Sequence, residues 1–221
     1  MSDQQKLPEH QAVYERLKDL LLIGYFAPGE PLTIQGLIRL LDAGMTPVRE
    51  AIRRLTAENA LQSLGNRRVA VPKFDRKRFE DIYFLRLRIE PELAARATKH
   101  MPDPAIKQLV PVDKAVSQAI QDGNVEQYLD QNRVFHFAIY EHAESEVLLR
   151  TTQSLWVQAG PCLRVVCGRF GTANLPDKHT ELIEALRARD ADTVARALRE
   201  DLEQGLDLAC QSFETPNLIK P

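Results

Sequence analysis

Residues 46–72 read TPVREAIRRLTAENALQSLGNRRVAVP. Pro47 suits the first turn of a helix, where its missing N–H would have no partner in any case. The spacing of apolar residues predicts that helix from Thr46 to about Glu58. Val48, Ala51, Ile52 and Leu55 share one side of it, while Thr46, Arg49 and Arg53 lie more than about 90° away as a polar stripe. Two β-like pieces follow, Leu61–Leu64 and Arg68–Val71. Gly65-Asn66-Arg67 fits the turn of a hairpin between them, and Pro72 ends the second piece.

Upstream, Asp42-Ala43-Gly44 reads as a turn and Ile34–Leu41 as a short helix before it. Val13, Leu17, Leu20 and Leu21 recur at helical spacing within residues 8–24, and Ala27-Pro28-Gly29-Glu30-Pro31 breaks the chain after them. Two short helices around a Gly-containing turn, then a basic hairpin, follow the plan of a winged helix-turn-helix. The apolar side would hold the second helix on its scaffold, and the polar stripe would meet phosphates and base edges.

Downstream, residues 72–78 (PKFDRKR) read as a polar linker. Only helices are expected after it, over about 79–98, 104–122, 125–143, 145–158, 161–169, 177–189 and 191–212, with a break at Gly160-Pro161 among others. The expected fold class is mainly α. A winged helix-turn-helix occupies residues 1–74, and an all-helical effector-binding, metal-binding and dimerisation domain occupies 75–221.

The chain has 221 residues, 44% of them hydrophobic, enough for real cores and for two small domains. No apolar run is long enough for a membrane span, and MSDQQKLPEH has no apolar signal core. Cys162, Cys167 and Cys210 form no CxxC, which fits a reducing, cytoplasmic setting. A net charge of −2 argues little for nucleic acid, but it sums unlike halves. Residues 1–74 carry ten Lys/Arg and eight Asp/Glu; residues 75–221 carry 19 and 23. Within residues 49–74 there are six Lys/Arg against two acids, and local phosphate neutralisation is what DNA affinity depends on.

The helical half holds polar residues on apolar faces. Asn132 and His136, at i and i+4, lie on the face set by Val125, Leu129, Ile139 and Ala143. His179 lies among Leu182, Ile183 and Leu186, Asp201 among Val194, Leu198 and Leu208, and Arg86 among Phe79, Ile82, Ile89 and Leu93. Burying such groups unpaired costs several kcal/mol for a charge, so four helices pointing them inward imply a shared site. His179 and Asp201 are each eleven residues from Asp190, which puts them level in an antiparallel helix pair. Asn132, His136, His179 and Asp201 suit a divalent ion of the zinc, nickel or manganese class. Arg86 is placed to hold the carboxylate of a small acid. His10, His100 and His142 read as surface residues, and Cys162 and Cys167 as core thiols.

Residues 12–74 resemble the DNA-binding domain of GntR-type bacterial regulators, through VYERLKDLLLIGYFAPGEPL, TPVREAIRRLTAENAL and GNRRVAVP. The resemblance implies that Thr46 and Arg49 contact DNA and that the wing near Asn66-Arg67 reaches the duplex. Three positions depart from the family pattern. Met45 stands where an Arg usually reads a base, Gln35 where another Arg is often found, and Arg68 where the wing often has Gly. Residues 79–213 resemble the FCD ligand-binding domain of the FadR branch, through DIYFLRLRIEPELAARA, NRVFHFAIYEHAES and KHTELIEALRARDADTVARALREDL. Asn132, His136 and His179 match its metal positions, and Asp201 replaces the usual last His.

The expectation is a ligand-responsive regulator, a repressor and not an enzyme. It would be a homodimer that binds double-stranded operator DNA and a small carboxylate metabolite, without a membrane. Two alternatives use the same pocket, a metal-dependent enzyme and a dedicated metal sensor. The first lacks a general base beyond the ligands and leaves the basic winged unit unexplained.

Overall fold

The computed structural model describes residues 8–65, 68–171 and 178–214. Among them are nine helices and one small antiparallel sheet. The N-terminal unit contains α1 (Glu9–Leu22), β1 (Pro31–Thr33), α2 (Ile34–Leu41), α3 (Met45–Ala57), β2 (Gln62–Gly65) and β3 (Arg68–Ala70). Thr33 caps α2 by accepting the Gly36 N–H at 3.0 Å. Asp42 turns the chain in a left-handed conformation, φ 44°, and Gly44 leads into α3. Val48, Ala51, Ile52 and Leu55 are buried against Val13, Tyr14, Leu17 and Leu21 of α1, as their spacing predicted. Each Val, Leu or Ile among them contributes roughly 1.5–3 kcal/mol on burial.

The stretch that ends at Pro31 is not only a breaker. Pro31 opens β1, which pairs with β3 so that the sheet order is β1-β3-β2. An edge strand tolerates a proline because its missing N–H can face outward. Leu32 sits opposite Val69, and both are buried. Asn66 and Arg67, the expected wing tip, lie outside the described residues.

The second unit is an up-and-down helical bundle of α4 (Arg76–His100), α5 (Asp103–Gln121), α6 (Val125–Tyr140), α7 (Glu146–Phe170), α8 (Lys178–Ala188) and α9 (Ala191–Glu214). Asp75 caps α4 by accepting the Arg78 N–H, so the helix begins inside the expected linker. Pro91 inside α4 cannot donate to the Leu87 carbonyl, and Arg199 of α9 donates to it instead at 2.9 Å.

The expected break at Gly160-Pro161 is absent, and α7 runs straight through it. The reason lies in the other domain. A Cβ at residue 160 would stand 2.5 Å from the Leu21 carbonyl oxygen and 2.6 Å from that of Leu22. Gly160 thus lets the end of α1 rest on α7 and is a packing glycine. Arg78 reinforces the contact by donating to the Asn59 carbonyl at 2.6 Å and to Gln158 at 2.8 Å. Ser154 donates to the Glu58 carbonyl at 3.2 Å.

Candidate functional site

The outer face of α3 carries Thr46, Arg49 and Arg53, all exposed, with Met45 exposed at its start and Gln35 exposed on α2. Arg49 and Arg68 line one shallow groove with Ile34, Ile52, Ser63 and Val69, so recognition helix and wing base share a surface. Arg53 is tied to Glu50 at 2.6 Å. Arg54, counted with the basic cluster, serves the head's own packing. Its guanidinium lies 3.6 Å from the Tyr14 ring centroid and donates to Gln11.

The second site lies inside the bundle. A cavity of about 180 Å³ is lined by Arg86, Asn132, His136, His179 and Asp201, so the five interior polar residues face one space. Its walls come from α4 through α9. Ligating atoms of His136, His179 and Asp201 lie within 4.8 Å of one another. His179 and Asp201 do meet across the α8–α9 turn, 3.9 Å apart.

Hydrogen bonds orient both imidazoles. The Tyr140 hydroxyl donates to Glu90 Oε2 at 2.7 Å, and burial keeps that hydroxyl protonated. With its proton committed, the Tyr140 oxygen accepts from His136 Nδ1 at 3.1 Å. In the neutral ring His136 Nε2 then carries the lone pair, and in the protonated ring it presents a proton to Asp201. It is buried and makes no aligned hydrogen bond, although Asp201 Oδ2 is 3.2 Å away. His179 Nδ1 lies 2.9 Å from Asp113, and the ring stacks on Phe135. Its Nε2 edge faces Asp201. Burial would raise the Asp201 carboxyl, but His136 and His179 more than offset this and hold it below its usual range. Two imidazole nitrogens around a carboxylate, each ring held at its far nitrogen, is how proteins present ligands to a divalent cation.

Arg86 is buried and its fork is already occupied. Nε and Nη2 reach Glu90 at 2.5 and 3.3 Å, while Nη1 has no protein partner. Burial works against its charge, and Glu90 outweighs that, so the guanidinium stays cationic. Cys167 also lines the cavity, and burial pushes its thiol up to about 12, which makes it an inert wall. Lys178 at the lip is paired with Glu181 and Glu200.

The family model described as bacterial regulatory proteins, gntR family, matches residues 9–71, and the FCD domain model matches residues 81–204. The chain is a GntR-family regulator with an FCD domain. This GntR regulator is 30% identical to the HTH-type transcriptional regulator McbR of Escherichia coli (strain K12), over 89% of this chain and 90% of McbR. It is 24% identical to the HTH-type transcriptional repressor RspR of the same strain, over 89% and 87%. The solved structure of E. coli McbR/YncC superposes with a TM-score of 0.88 at 28% identity, covering 94% of this chain and 99% of that one. A putative GntR regulator from Rhodococcus sp. RHA1 shares the fold, with a TM-score of 0.73 at 21% identity over 92% and 98%. Both matched families and these relatives are transcription regulators, so this GntR protein is a DNA-binding regulator and not an enzyme. No described helix is long and apolar enough to cross a membrane.

The structure adds residues to this GntR site that the sequence reading did not name. Glu90 and Tyr140 were within reach, since each stands four positions after a polar residue on an inner face. Asp113 had a weaker signal, a lone acid between the buried Leu109 and Val116 of α5. Trp156 had none. His100 is exposed beside Glu144, and His142 is half-buried.

Proposed function

We propose that this regulator is a homodimeric repressor released from operator DNA by a small carboxylate, with residues 1–74 as the DNA-binding head and 75–221 as the sensor. Asn132, His136, His179 and Asp201 would hold a divalent ion, and the carried observation is the pair of oriented imidazoles. His136 Nε2 lies 3.2 Å from the Asp201 carboxylate, a pair that either a proton or a metal cation can bridge, and the second imidazole beside it favours the metal. That donor set fits a zinc-, nickel- or manganese-class ion. A bound ion would supply a Lewis-acidic anchor for an oxygen of the effector. Arg86 would offer the effector one donor, Nη1.

DNA contact would come from Thr46, Arg49, Arg53 and Arg68, with Gln35 and Met45 at the edge and Asn66 and Arg67 at the wing tip. A homodimer would match a two-fold operator. The name of RspR, a repressor, supports the direction of control.

α7 supports a route between the two sites. Trp156 and Leu163 line the cavity, while Ser154 and Gly160 meet the head directly and Gln158 does so through Arg78. A ligand that favours one setting of α7 would shift the head with it.

The test is binding of the full chain to its own upstream DNA, with and without divalent metal and a panel of small organic acids. Release by an acid in the presence of metal is expected. Release by metal alone would make the protein a metal sensor, and failure to bind DNA would refute the reading.

A further inference from the structure

The cavity is graded, and five of the six helices around it step the same way, with Ser117 and Gln204 as polar exceptions and α8 contributing only Lys178 and His179. On α4, Arg86 gives way one turn earlier to Tyr83. On α5, Asp113 gives way to Val116 and Ile120. On α6, His136 and Asn132 give way toward the N-terminus to Leu129 and Tyr128. On α7, Trp156 beside Arg86 gives way to Leu163 and Val166, and on α9 Asp201 gives way to Gly205 and Leu208. The steps run toward the N-terminus on α4 and α6 and toward the C-terminus on α5, α7 and α9. Consecutive helices of the bundle alternate in direction, so all five steps point to the same end of the cavity. At about 1.5 Å per residue, the polar and apolar ends are roughly 5–10 Å apart. Tyr83, Leu163, Val166 and Leu208 also belong to one apolar cluster.

The charges at the polar end set a second limit. Arg86 is balanced by Glu90. The Lys178 charge at the lip is balanced by Glu181 and Glu200, which also pair with Arg196 outside the cavity. Asp113 and Asp201 remain, and one divalent ion neutralises both. The polar end is then neutral before a ligand enters, so one carboxylate already leaves a single excess negative charge, and each further carboxylate adds another at rising cost. Arg86 presents a single free donor atom, not a fork.

Resting on the carboxylate-and-metal reading above, we infer that the effector is a monocarboxylic acid with an apolar body about one ring in size. Its carboxylate sits at the His136–His179–Asp201 end and its body lies against Leu163, Val166 and Leu208. The cavity is about 180 Å³. An apolar cavity of about 150 Å³ accommodates benzene, so the volume suits a ring and not a long chain.

The test is calorimetric titration of the full chain, supplied with Ni²⁺, with mandelate, lactate, malate and citrate. Mandelate should bind at least about tenfold more tightly than lactate, which lacks the apolar body, and more tightly than malate or citrate. Malate or citrate binding as tightly as mandelate would overturn the inference and leave the carboxylate reading standing, as would lactate equalling mandelate. Binding of none of the four acids would refute both. Val166→Phe fills the apolar end and should cut the mandelate-to-lactate affinity ratio about tenfold. Asp201→His removes one negative charge and should raise the malate-to-mandelate ratio. An unchanged ratio in either variant refutes the part it probes, and the wild-type panel decides the matter if a variant does not fold.

Discussion

Replacing Glu90 with leucine should unfold the helical domain far more readily than any surface change. Glu90 is fully buried, and Arg86 beside it is 2% exposed. Four donors converge on its carboxylate, namely Arg86 Nε at 2.5 Å and Nη2 at 3.3 Å, the Tyr140 hydroxyl at 2.7 Å and Trp156 Nε1 at 3.1 Å. Leucine leaves the Arg86 charge buried and uncompensated, a cost of about 3–5 kcal/mol. Tyr140 and Trp156 also lose their acceptor, at about 1–3 kcal/mol for each buried group left unsatisfied. A domain's whole stability is about 5–15 kcal/mol, so the loss is a large share of it. The contacts of Arg86 with the Tyr83 and Trp156 rings, at 4.8 and 4.4 Å, cannot replace a full counter-charge. Trp156 is the chain's only tryptophan and touches Glu90 directly, so its fluorescence reports this region during urea unfolding. The Arg86→Leu/Glu90→Leu double variant removes the stranded charge and should be more stable than Glu90→Leu alone. A loss under about 1 kcal/mol in the single variant, or a double variant that is worse, would refute the reasoning.

Tyr140→Phe removes the oxygen that holds His136 Nδ1 and should lower metal affinity by about 10- to 100-fold while the fold survives, as read by metal titration. His136→Ala should abolish bound metal in protein purified without chelators, and a wild type found metal-free would argue against the site. Gly160→Val drives a side chain into the Leu21 and Leu22 carbonyls and should cost about 1–3 kcal/mol, releasing the head. Limited proteolysis then cuts faster between the domains, and an unchanged digestion pattern would contradict the docking described. Arg49→Ala should weaken specific operator binding by about 1–3 kcal/mol in a gel shift, whereas equal loss on unrelated DNA would reassign Arg49 to phosphate contact.

The readable parts of the fold are those where one helix or one turn decides. The apolar set Val48, Ala51, Ile52 and Leu55 predicted the buried face of α3, and Asp42-Ala43-Gly44 predicted its turn. Gly160-Pro161 misled for a physical reason. Local propensity marks it as a break, but the requirement met there is set by the α1 backbone, about 140 residues earlier in the chain. β1 was missed because three residues carry too little periodicity to stand out, and its pairing partner lies near residue 70.

For the interior site, the sequence alone determined which residues face inward, because helical periodicity assigns each residue to a face. It therefore named Arg86, Asn132, His136, His179 and Asp201 as inhabitants of one interior. It did not determine what each of them does there. Arg86 spends its fork on Glu90, His136 presents Nε2 because Tyr140 holds Nδ1, and His179 is turned by Asp113 from another helix. Those roles depend on partners up to 66 residues apart and on distances of about an ångström, and only the packed helices set them. The polar-to-apolar grade of the cavity has the same origin. Five helices contribute one step each, and the steps become a direction only when the bundle aligns them.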